Sequence, residues 1–191
     1  MAGSARYTVI LDANVLYPSL LRDTLMSLAT AGLYHARWTN QIHEEWTRNL
    51  AKNRPDIAHK LADVVRVMNR AVPDCLVENY EGLVPSIVLP DQDDRHVVAA
   101  AIAGHADAIV SFNVDDFPLA ELAKYNIEIQ HPDTFLLNQI HLHKIGCLSA
   151  IKRMRERWKN PEFSAIKLVE ILDAHGLPFS ADELKEAVDL I

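Results

Sequence analysis

Asp12 directly follows an apolar, β-branched run, in Leu11-Asp12-Ala13-Asn14. Glu45 lies within an amphipathic helical pattern, Asp94 precedes an alanine-rich one, and Asp116 follows an apolar run and a turn in Ser111-Phe112-Asn113-Val114-Asp115-Asp116. In open α/β folds, ligands are met at the carboxyl ends of strands and the neighbouring helix starts. Carboxylates gathered there cannot all stay ionised without a cation between them, because like charges raise each other's pKa. Hard oxygen donors suit Mg2+ or Mn2+. Such an ion activates water and neutralises charge developing on a phosphodiester, so the candidate chemistry is metal-assisted phosphoryl hydrolysis. Taken singly, each acid also has a structural explanation as a turn former, helix cap or surface residue. Asp91 and Asp93 are read as caps or turn residues that are also placed for an outer contact.

The elements that must position these acids alternate between strand and helix. Tyr7–Leu11 reads as a strand, and Leu21, Leu25 and Leu28 mark a helical face that Gly32 ends. Thr39 is placed to cap a helix carrying Ile42, Trp46 and Leu50. At about 100° per residue from Ile42, Glu45 falls at about 300°, bordering the buried face, and Glu44 at about 200°, pointing away. Glu45 is therefore the candidate and Glu44 a solvated residue. Pro55 suits the first position of a third helix. Cys75–Val77 and Ile87–Leu89 are short extended candidates, Val97–Ala103 a helix, Ala106–Ser111 a buried strand, Pro118–Tyr125 a short helix and Ile127–Ile129 a last strand. Strands separated by helices imply an α/β fold with a parallel sheet covered on both faces. After Asp133 the pattern is helical only, with segments Ser149–Lys159, Pro161–His175 ended by Gly176, and Ser180–Leu190, whose Ser180 and Glu183 form a capping box. The expected organisation is an α/β domain over 1–143 and a small all-helical appendage over 144–191.

Composition bounds the rest. The chain has 191 residues, 49% of them hydrophobic and 24% charged, so one core-bearing domain with a small addition is expected. No apolar run approaches the roughly 20 residues of a membrane span, and the N-terminal residues lack the h-region of a secretory leader. A cytoplasmic protein is expected. Cys75 and Cys147 stand far apart in no metal or redox spacing and read as buried thiols. The net charge of −7 argues against a surface that is wholly a nucleic-acid footprint but leaves room for a local one. His141 and His143 are splayed by their spacing and His96, two beyond Asp94, points elsewhere, so no histidine is assigned a role. No phosphate-cradling glycine loop is present.

The ordered set Asp12-x-Asn14, Glu45, Asp94 ahead of Val97-Val98-Ala99-Ala100-Ala101, and Ser111-x-Asn113-x-x-Asp116-Phe117 resembles the PIN-domain ribonucleases, close to the VapC-type toxins of prokaryotic toxin–antitoxin pairs. The resemblance spans about residues 7 to 140. It implies a PIN-like central parallel sheet flanked by helices, a Mg2+ or Mn2+ centre held by Asp12, Glu45, Asp94 and Asp116, and endonucleolytic cleavage of RNA to 5′-phosphate and 3′-hydroxyl ends. By the same motif Asn14 and Ser111 orient the acids; Asp91 is a supporting residue by its own position, not by the motif. Asn113 stands where many members carry an acid, which leaves one or two metal ions open. A protein antitoxin and a homodimer are the implied partners. The basic stretch Lys152, Arg153, Arg155, Arg157 with Trp158, together with Arg22, is the candidate contact for RNA or antitoxin, against a solvated helix face. Two rival readings remain at this point: a PIN-like module that binds RNA or protein without cutting, and a PIN-type nuclease directed at DNA.

Overall fold

In the computed structural model, which describes residues 7–159 and 162–191, the chain divides into two compact units. Among the described residues, the first comprises 7–17 and 34–131, the second 18–33, 132–159 and 162–191. The sequence expectation of a boundary after 143 differs from this division in two places. Helices α2 (Ser19–Thr30) and α7 (Pro132–Leu142) both lie in the second unit. The reading of an absent leader rests partly on residues 1–6, and the expected helix start at Pro161 is a single position. Both lie outside the described residues.

In the first unit, Thr8–Leu11 forms β1, whose Val9, Ile10 and Leu11 are fully buried. It is central in a four-stranded parallel sheet with β2 (His35–Arg37), β3 (Ala108–Val110) and β4 (Glu128–Gln130), in the order β2-β1-β3-β4. The register pairs Leu11 with Val110, so the residues that follow, Asp12 and Ser111, emerge side by side at the carboxyl edge. β2 went unread in the sequence, while the extended candidates at 75–77 and 87–89 are not strands. Leu76 makes a single bridge to Trp38, and Ile87 and Leu89 are buried without ladder partners.

Helices flank the sheet. A short α1 (Ala13–Leu16) starts on Asp12, and α3 (Asn40–Asn53) starts on Thr39, whose hydroxyl accepts from Ile42 N–H at 3.1 Å. Pro55–Lys60 is a 3-10 turn before α4 (Leu61–Ala71), and another 3-10 turn spans Glu81–Ser86. Helix α5 (Arg95–Ala103) packs on β1 and β3 through fully buried Val97, Val98 and Ala99–Ala101, small residues that admit close approach. Helix α6 (Leu119–Leu122) packs against β4.

The second unit contains α2, α7, α8 (Lys144–Arg157), α9 (Ala165–Ala174) and α10 (Pro178–Glu186). Its core holds Leu21, Leu25, Leu28, Phe135, Ile151, Leu168 and Leu184. Gly32 and Gly176 follow α2 and α9 at φ 76° and 83°, the left-handed stop that their sequence positions announce. The capping box at Ser180 is not formed, because α10 begins earlier, at Pro178. The orphan donors of that helix are met from another element. Buried Asp133 of α7 accepts from Phe179 N–H at 2.9 Å and Ser180 N–H at 2.8 Å, while Ser180 Oγ donates to Asp133 O. Asp133→Ala leaves both donors without an acceptor and is expected to destabilise the protein by about 2–3 kcal/mol. Urea unfolding would show this as a lower midpoint, and an unchanged midpoint would contradict the capping role. Among the described residues, no helix is long and apolar enough to cross a membrane. Cys75 and Cys147 are free and buried.

Candidate active site

The Asp12 carboxylate is fixed from two sides. Its Oδ1 accepts from Ala13 N–H at 2.6 Å and its Oδ2 from the Ser111 hydroxyl at 2.7 Å. Ser111 Oγ in turn accepts from Asn14 Nδ2 at 2.9 Å and from Asn113 N–H at 3.1 Å, and Asn14 Oδ1 accepts from Phe112 N–H at 3.1 Å. The hydroxyl thus uses its one donor and both acceptor positions, lacing the ends of β1 and β3 together behind Asp12. Burial raises the pKa of Asp12; the bonds from Ser111 and Ala13 oppose the rise, Glu45 adds to it and His96 lowers it.

Glu45 reaches the same place because α3 is locked about its axis by a largely buried polar network centred on half-buried Asn69. Asn69 Oδ1 on α4 accepts from Trp38 Nε1 at 2.8 Å and meets His43 Nε2 at 3.0 Å, while Trp46 Nε1 donates to His43 Nδ1 at 3.0 Å. The imidazole therefore carries its proton on Nε2. With Ile42, His43 and Trp46 turned inward, Glu45 is left half-buried at the edge of the core.

There it meets a residue that the sequence reading set aside. His96 is buried, and its Nε2 lies 2.9 Å from Glu45 Oε1, at ion-pair distance although not aligned as a hydrogen bond. The expectation that His96 points elsewhere is corrected: its spacing separates it from Asp94 on α5, but its partner stands on a different helix.

Asp94 precedes α5 without any side-chain capping bond. Burial, followed by the charges of Asp12, Asp91 and Asp116, pushes its pKa up to about 6. Asp91 has a turn role, its Oδ1 accepting from Asp93 N–H at 2.9 Å. A cavity of about 1030 Å³ brings Asp12, Asn14, Glu45, Asp94, His96 and Asn113 together on its lining. Glu44 is exposed as expected, yet it also borders this cavity. Asp116, in the 3-10 turn Val114–Asp116, is not on the lining but acts on Asp94 through its charge. Among the described residues no three His, Cys, Asp or Glu side chains are gathered closely enough to coordinate a metal ion. The donor chemistry is nonetheless that of a hard divalent cation, with carboxylate oxygens among which burial and then the neighbouring acids favour protonation of Asp94.

The basic candidates lie in the second unit and are mostly engaged there. Arg22 is buried, and its pKa is lowered by burial while Asp23 raises it. Asp23 is hydrogen-bonded by Trp158 and feels Arg22 and Arg157. Arg157 donates to Ser27 Oγ at 2.9 Å, Arg155 donates to Phe163 O at 3.0 Å, and the Trp158 ring packs at a tilt against that of Phe163, with centroids 5.0 Å apart. Lys152 is half-buried and Arg153 exposed.

Comparison with known proteins places both parts of the chain among described families. The profile of a family described as "PIN domain" matches residues 8–115, more than half of the chain, and one described as "VapC50 C-terminal domain" matches residues 132–186. A protein of Mycobacterium tuberculosis (strain ATCC 25618 / H37Rv) named "Putative ribonuclease VapC50" is 36% identical over 88 residues, covering 46% of this chain and 52% of that protein. The chain thus spans about half the length of this curated relative. No solved structure matches it significantly. The PIN profile takes in Asp12, Glu45 and Asp94, and Asp116 is the residue after its end.

Proposed function

The chain belongs to the PIN-domain family, and we propose from that premise that it is an endoribonuclease dependent on Mg2+ or Mn2+, the toxin of a type II toxin–antitoxin pair acting in the cytoplasm. Asp12, Glu45, Asp94 and Asp116 are the residues that would hold the cation. When bound, such an ion supplies an activated water and neutralises charge developing on the phosphate. The chain's own side chains prepare that site. Ser111 and Asn14 hold the Asp12 carboxylate in one orientation, His96 meets Glu45, and Asn113 borders the space where a phosphodiester would lie. RNA is the substrate in this reading, and a small protein antitoxin and a second copy of the chain are the partners. Lys152 and Arg153 remain the basic residues offered to either RNA or antitoxin.

One observation carries the reading. Asp94 is held at a pKa of about 6 by burial and by Asp12, Asp91 and Asp116, beside a cavity of about 1030 Å³. Crowding carboxylates at an open cleft has an electrostatic cost that binding of a divalent cation relieves.

The test is incubation of a small-RNA pool and sequence-matched single-stranded DNA with the purified protein in Mn2+ or Mg2+, with and without EDTA. Discrete RNA fragments with 5′-phosphate ends that vanish with EDTA are expected. Retention of RNA without cleavage would favour a binding module, and preferential cutting of the DNA would redirect the nuclease.

A further inference from the structure

The cavity beside Asp12 continues along one face of α3, through positions 41, 45, 49 and 53. Residues four apart share a helix face, and twelve residues rise about 18 Å, long enough to follow several nucleotides. The chemistry of this stretch is unlike that of a phosphate-holding groove. Among the described lining residues Arg48 is the one permanent cation, in company with Glu44, Glu81 and Asp93. An RNA strand lying here gains little from the counterion release that ordinarily dominates nucleic-acid affinity.

Amides and a ring are present instead. Gln41, Asn49 and Asn53 are exposed and border the cavity. A carboxamide offers a donor and an acceptor in one plane, the pattern that pairs with base edges. Tyr17, half-exposed, also lines the cavity, and its hydroxyl is held by Asn53 Nδ2 at 2.9 Å. A tyrosine ring fixed at its hydroxyl is a stacking platform for a base.

We propose that Gln41, Asn49, Asn53 and Tyr17 form a base-reading wall, so that this protein takes its RNA affinity and its sequence preference from base contacts beside the scissile phosphate and little from phosphate neutralisation. The proposal rests on the endoribonuclease reading for the identity of the polymer and deepens it by assigning the residues that choose the bases. Two consequences separate it from a phosphate-driven groove. Affinity falls only gently with salt, with a slope of log K on log[salt] near −0.7 for a single cation, whereas four phosphate contacts give about −3. Sequence preference, moreover, resides in α3.

The experiment uses the full chain and a library of randomised single-stranded RNA. Binding is selected in Ca2+, which suits oxygen ligands, and cleavage is mapped separately in Mn2+ by sequencing new 5′ ends. Wild type is expected to enrich particular bases by about tenfold at one or two positions. The Asn49→Ala/Asn53→Ala variant is expected to lose that preference and, because Asn53 no longer holds the Tyr17 hydroxyl, to bind all sequences more weakly as well, while melting close to the wild-type temperature, since both residues are exposed. Tyr17→Leu is expected to weaken all bound sequences by about tenfold. Binding without base preference, preference that survives the double substitution, or a salt slope near −3 would overturn the proposal. Selective binding with no fragments in Mn2+ would remove the endoribonuclease reading and leave the wall standing, and failure to bind any RNA would remove both.

Discussion

Asp94→Asn is expected to lower RNA cleavage by at least about a hundredfold and, in the absence of divalent metal, to make the protein more stable. The two effects have one cause. The Asp94 carboxyl is raised from 3.8 to about 6 by burial and by Asp12, Asp91 and Asp116, so the folded state holds this proton more tightly than the unfolded chain does. The stabilisation from that proton is complete below the unfolded value and is lost as pH rises through about 6. At pH 7.5 the ionised carboxylate is therefore a liability. A shift of this size is nominally about 3 kcal/mol, but Asp94 is only half-buried and solvent screening reduces the figure to about 1 kcal/mol. Asparagine keeps the shape and removes the charge. Thermal melts in EDTA should show Asp94→Asn above wild type at pH 7.5, with the two converging towards pH 4. Saturating Mn2+ should narrow or reverse the gap, because a ligand bound by the native state stabilises only the protein that retains its site. A variant that melts below wild type in EDTA at pH 7.5 would mean that Asp94 is a structural cap and not part of a crowded acidic site.

How much of this site could be read from the sequence depended on whether the decisive contact was local. The strand before Asp12 was readable because three consecutive fully buried residues, Val9 to Leu11, have no polar alternation to obscure them. Glu45 was readable because Ile42 and Trp46 fix which way α3 turns, and that is a property of one helix. β2 was not readable. Of its three residues only Ala36 is buried, and His35 and Arg37 are half-exposed at the sheet edge, so no apolar period exists to detect. Arg37 is instead secured by donating to Asp74 O and Gly104 O, partners far away in sequence. His96 was lost for the same reason, since Glu45 lies on another helix. The capping box at Ser180 is a local pattern that a non-local partner displaced, because α10 begins at Pro178 and Asp133 supplies the cap from α7. Periodicity likewise marked Leu21, Leu25 and Leu28 as one helical face but carried no information about which unit that helix joins.

Ser111→Ala is expected to cost about 2–4 kcal/mol of stability and to reduce cleavage about tenfold or more, because one hydroxyl closes the whole network behind Asp12. Ser111 is completely buried, and alanine leaves Asn14 Nδ2 and Asn113 N–H without the acceptor they share. The third lost bond matters most for chemistry. Donation from Ser111 Oγ to Asp12 Oδ2 is the leading influence that holds the Asp12 pKa down against burial. Without it the carboxylate ionises at higher pH, so the acidic limb of the pH–rate profile should move upward. Ser111→Thr retains the hydroxyl and should restore the position of that limb even if the added methyl group lowers stability. Comparing the two variants by denaturant unfolding and by cleavage across pH separates two roles that the alanine variant alone would confound. Loss of stability with an unmoved acidic limb would make Ser111 a fastener between β1 and β3. Movement of the limb in alanine and its return in threonine would show that the same hydroxyl sets the charge of Asp12, and with it the readiness of the site for a divalent cation.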